Sequence, residues 1–136
     1  MITTICRKAT FNAAHRLARP DWNEDENFQV YGKCSYPNYH GHNYTLIVKL
    51  TGEVDQETGY LMDLGKLASI IKEEVEDKFD HKNLNEDIAE FKNLIPTTEN
   101  FAAVIWNNLR KRISEDLSLA IVLHETERNF VEYEGR

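Results

Sequence analysis

Between residues 42 and 54 the chain alternates. Tyr44, Leu46, Val48 and Leu50 fall on one side of an extended segment, with Thr45, Lys49 and Thr51 on the other and Ile47 as the exception. A period of two marks a half-buried strand, wet on one face and most simply antiparallel. Its dry face needs a second layer, and two amphipathic stretches can provide one. The first follows Asp63, a suitable N-cap, and runs to about residue 79, with Leu64, Leu67, Ala68, Ile71 and Val75 as its stripe. The second opens at Pro96-Thr97-Thr98-Glu99, with a hydroxyl for capping and an acid in the first turn, and carries Phe101, Ala102, Ile105, Leu109 and Ile113.

Other strands frame these elements. Residues 2–11 are rich in Ile and Thr, residues 117–123 are apolar, and Phe130-Val131-Glu132-Tyr133 follows a turn at residues 127–129. Tyr60-Leu61-Met62 follows turn chemistry at residues 55–59 and is expected to return as a hairpin partner. Residues 17–39 and 80–95 lack a period and read as loops. The first is long for a connection, and long loops often carry function. The class is therefore α+β, with the helices packed on one sheet face.

The chain has 136 residues, the size of one domain spanning residues 1–136. Sixteen basic against 23 acidic residues leave a net charge of −7, a poor balance for neutralising nucleic-acid phosphates. No apolar run approaches the roughly 20 residues that span a bilayer. The start lacks a basic stretch followed by an apolar one, and two cysteines are too few for a disulfide scaffold. The expectation is a cytoplasmic protein with no nucleic-acid or membrane partner.

His40-Gly41-His42 is the sharpest local motif. Residues i and i+2 of a strand face the same way, so both rings can reach one metal ion. His15 lies just past the first strand, and strands adjacent in sequence tend to pair. Three histidines at neighbouring strand ends would make a zinc site with one open position, a donor set that serves several chemistries. Cys34 is either a small buried residue or a thiol near the ion, its pKa lowered by Lys33 or the ion itself. Asp80-His81 is either a helix end followed by a turn residue or a proton relay. Glu125 ends an apolar strand, where a pocketed carboxylate can grip the N–H edge of a flat heterocycle. Glu99 could do the same, although its place at a helix start is explanation enough. His124 reads as strand surface.

Taken together, Phe11-Asn12-Ala13-Ala14-His15-Arg16-Leu17, Gly32-Lys33-Cys34, His40-Gly41-His42-Asn43-Tyr44, Asp80-His81-Lys82-Asn83-Leu84-Asn85, Pro96-Thr97-Thr98-Glu99-Asn100 and Glu125-Thr126 resemble the 6-pyruvoyl-tetrahydropterin synthase family. The resemblance runs along nearly the whole chain. It implies a four-stranded antiparallel sheet with two helices on one face (the tunnelling fold), closed into barrels in a homohexamer, a dimer of trimers with active sites between subunits. It implies Zn2+ on His15, His40 and His42, and Cys34 as general base with Asp80 and His81. It implies Glu125 as pterin anchor, helped by Glu99 and Thr98. The implied reaction converts 7,8-dihydroneopterin triphosphate to 6-pyruvoyl-tetrahydropterin with loss of triphosphate. A related branch, 6-carboxytetrahydropterin synthase of queuosine biosynthesis, takes the same substrate and also releases acetaldehyde. Its members usually have three residues between the cysteine and HGH, whereas five stand here, as in the 6-pyruvoyl type. The resemblance leaves the triphosphate without a clear basic cluster; Arg16, Lys33 and Lys82 are candidates. A non-catalytic zinc- or pterin-binding module and a three-histidine zinc hydrolase are the rival readings.

Overall fold

The computed structural model describes residues 1–136. β1 (Ile2–His15) and β2 (His40–Glu53) form a long antiparallel ladder, and β2 pairs on its other edge with β4 (Ser118–His124), which pairs with β5 (Phe130–Tyr133). The alternation expected of residues 42–54 is present: Tyr44, Leu46, Val48 and Leu50 are buried, and Ile47 lies on the opposite face beside Val122.

The sheet differs from the expected four antiparallel strands. It has five, in the order β3-β1-β2-β4-β5, and the extra one, β3 (Lys82–Asn83), runs parallel to β1. Tyr60-Leu61-Met62 is not a strand. Both edges of β2 are already paired, by β1 through Ile2 opposite Glu53 and by β4 through Ser118 opposite Thr51, so no edge is left for a hairpin return. The segment instead closes a turn in which Tyr60 O accepts from Asp55 N.

The "loop" of residues 17–39 contains α1 (Glu24–Tyr31) and a 3-10 turn over Gly32–Ser35. Helix α1 has almost no apolar stripe, with Phe28 and Val30 exposed, which is why no period shows. Its start is held by polar groups. Asn23 accepts from Glu26 N, and buried Asn27 bonds both the N–H and the carbonyl of Arg19.

Helix α2 begins at Leu64–Ile71 under the Asp63 cap, widens through a π-helical Lys72–Glu76 and ends at Asp77–Phe79. After β3 comes the single turn α3 (Leu84–Asp87), and α4 (Thr98–Arg110) follows with Thr97 accepting from Asn100 N at its start. Ile113 is buried beyond the end of α4, where the Arg110 guanidinium donates to the carbonyls of Ile113 and Leu117 and closes the turn.

Helices α2 and α4 bury their stripes on one face of the sheet. Phe101 stands at the centre, with Phe11, Tyr44, Phe79 and Phe91 ring-to-ring around it at 5.0–5.8 Å between centroids. Leu64, expected in the α2 stripe, is exposed in the first turn. No helix is long and apolar enough to cross a membrane.

Candidate functional site

The register of β1 and β2 sets His15 directly opposite His40 at the last rung of the ladder, with His42 two residues along on the same face. The three rings stand edge to face, 4.6, 5.1 and 5.0 Å apart between centroids. One ring nitrogen from each lies within 4.8 Å of the others. His15 is fully buried and its Nδ1 is 2.8 Å from the Pro96 carbonyl oxygen just before α4. A carbonyl only accepts, so that contact places the proton on Nδ1 and leaves Nε2 as a lone pair.

The Nε2 atoms of His15, His40 and His42 are all buried without a hydrogen-bond partner. Buried polar atoms are normally satisfied, and three orphaned imidazole nitrogens facing one another are a donor set for a metal ion. Burial pushes His15 down to about 4 against the opposing Pro96 contact, with the neighbouring imidazoles adding to the fall. Burial also lowers His40, helped by His42. Both shifts favour the neutral imidazole of His15 and His40, the form that ligates. Three protein nitrogens leave one position open, so the residues present fit a catalytic divalent ion.

Glu125, just past β4, borders this cluster: Oε1 is 3.6 Å from His42 Nε2 and Oε2 is 3.9 Å from His15 Nε2. The Thr98 hydroxyl, in the first turn of α4, donates to Glu125 Oε2 at 2.6 Å. The chain thus brings His15, His40, His42, Glu125 and Thr98 together. Glu99 is not among them. It is exposed, and with Thr98 and Arg128 it lines a separate cavity of about 280 Å³.

Cys34 reaches the site through the backbone, its carbonyl accepting from Leu17 N at 2.8 Å, two residues past His15. Its thiol shows no lowering by Lys33. Burial raises it and the Glu125 charge raises it further; the shifts come from these, not from Lys33.

Asp80 and His81 form a pair, Oδ2 to Nδ1 3.0 Å, pinned to the edge of β1: Asn12 N donates to Asp80 Oδ1, and His81 N donates to Asn12 O. The Asn12 N–H, then His81, hold the Asp80 carboxyl below the usual range. Neither member of the pair bonds Cys34 or shifts its thiol, and the His81 ring is 76% exposed. His81 lines a cavity of about 490 Å³ with Asn12, Gly41 and Asn43, on β positions whose alternation carries them to the helix-free face.

Some features escaped the sequence reading. The Pro96 carbonyl behind His15 carries no side-chain signal. Tyr44 OH is buried without a partner next to the cluster, its pKa pushed well up by burial and by Glu125. His124 has an account in the fold: it stacks on Phe130, its cross-strand partner, at 4.4 Å.

A family profile described as 6-pyruvoyl tetrahydropterin synthase matches residues 4–136. The 6-pyruvoyl tetrahydrobiopterin synthase of Homo sapiens is 39% identical over 131 residues, 96% of this chain and 90% of the relative. The protein of that name from Dictyostelium discoideum is 41% identical over 131 residues, 96% and 95% of the two chains. A dihydroneopterin monophosphate aldolase from Pyrococcus furiosus is 33% identical over 119 residues, 88% and 85%. The structure of Caenorhabditis elegans 6-pyruvoyl tetrahydropterin synthase superposes with a TM-score of 0.93 at 38% identity, covering 100% of this chain and 97% of that one. With a family match over nearly its full length and the three-histidine cluster in its fold, the chain belongs to the 6-pyruvoyl tetrahydropterin synthase family.

Proposed function

We propose that this protein is a zinc-dependent lyase that converts 7,8-dihydroneopterin triphosphate to 6-pyruvoyl-tetrahydropterin with elimination of triphosphate, a step of tetrahydrobiopterin synthesis. The observation that carries the reading is the trio of orphaned Nε2 atoms with the Glu125 carboxylate beside them.

His15, His40 and His42 would hold Zn2+. When bound there, the ion supplies positive charge to the two side-chain hydroxyls of the substrate and so acidifies the adjacent C–H bonds. Glu125 accepts from the N–H and amino edge of the pterin ring, as a carboxylate can in bidentate fashion. Thr98, already hydrogen-bonded to Glu125, orients it, and Glu99 assists from the neighbouring cavity. Cys34 takes a proton from the substrate side chain. Its raised pKa makes it a strong base once ionised. The His81 imidazole of a second copy would take the Cys34 proton, with Asp80 steadying the imidazolium that results, because within one chain neither residue bonds Cys34. Electron pairs left on carbon expel triphosphate, and an internal redox rearrangement completes the product with no external oxidant.

Shared sites fit a homohexamer, a dimer of trimers in which three subunits close a barrel that hides their sheet edges and two barrels stack. The setting is cytoplasmic, where Cys6 and Cys34 stay unpaired.

The test is turnover of 7,8-dihydroneopterin triphosphate by the zinc-loaded protein, with the pterin and any aldehyde identified by mass spectrometry. A 6-pyruvoyl product without acetaldehyde is expected, in keeping with the relatives' names and the five residues between Cys34 and His40. A 6-carboxy product with acetaldehyde would move the chain to the sister activity. Dihydroneopterin monophosphate is the control substrate, prompted by the Pyrococcus furiosus relative. Zinc binding without turnover would leave a binding module.

A further inference from the structure

We infer that α3 is a clamp holding the two histidine-bearing strands in position for the metal, and that the Tyr39–Glu86 hydrogen bond is a positioning contact for His40. The inference rests on the metal reading above and adds residues to it.

His15 and His40 occupy the terminal rung of the β1–β2 ladder, where strand ends would otherwise fray. The residues just outside that rung, Arg16 and Tyr39, are both held by α3. Asn85 Oδ1 accepts from Arg16 N at 2.8 Å and Asn85 Nδ2 donates to Arg16 O at 2.9 Å, so one side-chain amide satisfies the backbone next to His15 as a further strand would. The next residue, Glu86, accepts from the Tyr39 hydroxyl. α3 is itself anchored: Leu84 is fully buried, Asn83 caps the turn by accepting from Asn85 N and Glu86 N, and Asn83 pairs with Ala14 in the sheet.

Tyr39 is where this matters most. Its φ is +67°, one of two non-glycine residues in the left-handed region. A bulky side chain there is strained and persists only where the surroundings impose it. The chain turns through Tyr39, with Tyr39 N donating to Tyr36 O, directly into His40. If Tyr39 relaxed toward negative φ, the His40 backbone would leave the rung opposite His15. The tie to Glu86 joins the ring of the strained residue to the turn that also grips Arg16. Glycine reaches the same φ without strain, so the tie should matter only while residue 39 is not glycine.

That dependence gives the test, made on the full-length chain by zinc titration against a chromophoric chelator, with thermal melting of the metal-free forms as a folding check. Glu86 is exposed, so its variants should fold. Glu86→Ala is expected to weaken zinc binding about 10-fold, the lower end of what supporting contacts around metal ligands contribute. Glu86→Gln, which still offers an acceptor, should restore most of the affinity. Tyr39→Gly should bind zinc as the parent does, and adding Glu86→Ala to it should change nothing. The inference is overturned if Glu86→Ala binds zinc like the parent, or loses the same factor in both backgrounds. A parent chain that binds no zinc overturns the metal reading, and the clamp as a metal-positioning device goes with it.

Discussion

His15 Nδ1 lies 2.8 Å from the carbonyl oxygen of Pro96, a residue 81 positions away in the sequence. One hydrogen bond thus links the end of β1 to the approach of α4 and decides which nitrogen of a buried imidazole faces the histidine cluster. His15 is therefore expected to be the Nδ1–H tautomer in the metal-free protein, which long-range 1H–15N correlation spectra can read directly. His15→Gln should lose stoichiometric zinc binding while keeping the fold by circular dichroism. An Nε2–H signal for His15 would contradict the assignment.

Acid should destabilise the metal-free protein in a defined window. The His15 imidazole stays neutral in the fold down to about pH 4, but in the unfolded chain it takes a proton near 6.5. Between those values the unfolded state binds more protons, so stability is full above pH 6.5 and is lost as pH falls toward 4. At 1.36 kcal/mol per pKa unit the loss is on the order of 3 kcal/mol. Urea denaturation of chelator-treated protein from pH 7 to 4 measures it; a flat profile would show that His15 is not held neutral by burial.

Cys34 separates catalysis from binding. Its backbone supports Leu17, and its half-buried side chain sits outside the trio of orphaned nitrogens. Cys34→Ala should keep zinc at parental stoichiometry and pterin binding within about 2-fold, yet lower kcat by about 10²–10⁴, the range for removing a general base. Product formation at the parental rate would remove Cys34 from the mechanism.

Tyr44 tests the accounting of buried polar groups. Its ring is stacked on Phe11, 5.3 Å between centroids, and its hydroxyl is buried with no partner in the chain. Deleting a polar atom that has no partner is near neutral or stabilising. Tyr44→Phe should therefore melt at or above the parental temperature. A loss of about 1–3 kcal/mol would show instead that the hydroxyl makes a hydrogen bond.

Local periodicity carried much of this molecule. The alternation through Tyr44, Leu46, Val48 and Leu50 gave β2 and its buried face, and the same period of two put His40 and His42 side by side. The cap at Asp63 and the hydroxyl start of α4 were legible because both act within three residues. What was not legible acts across distance or without an apolar stripe. Helix α1 is held by Asn23 and Asn27 rather than by a dry face, so no period announced it. The two-residue β3 is a strand only because β1 offers its edge. Tyr60-Leu61-Met62 failed as a strand because β2 had no edge left, a competition that composition does not record. The Cys34 thiol is not lowered by its sequence neighbour Lys33, because burial and the Glu125 charge, 91 positions away, raise it. Residue types and short spacings determined which side chains can ligate and which faces must be dry. Only tertiary structure decided which carbonyl fixes His15, which carboxylate borders the cluster and which turn holds Tyr39 in a strained conformation, because those depend on segments that meet only when the core closes.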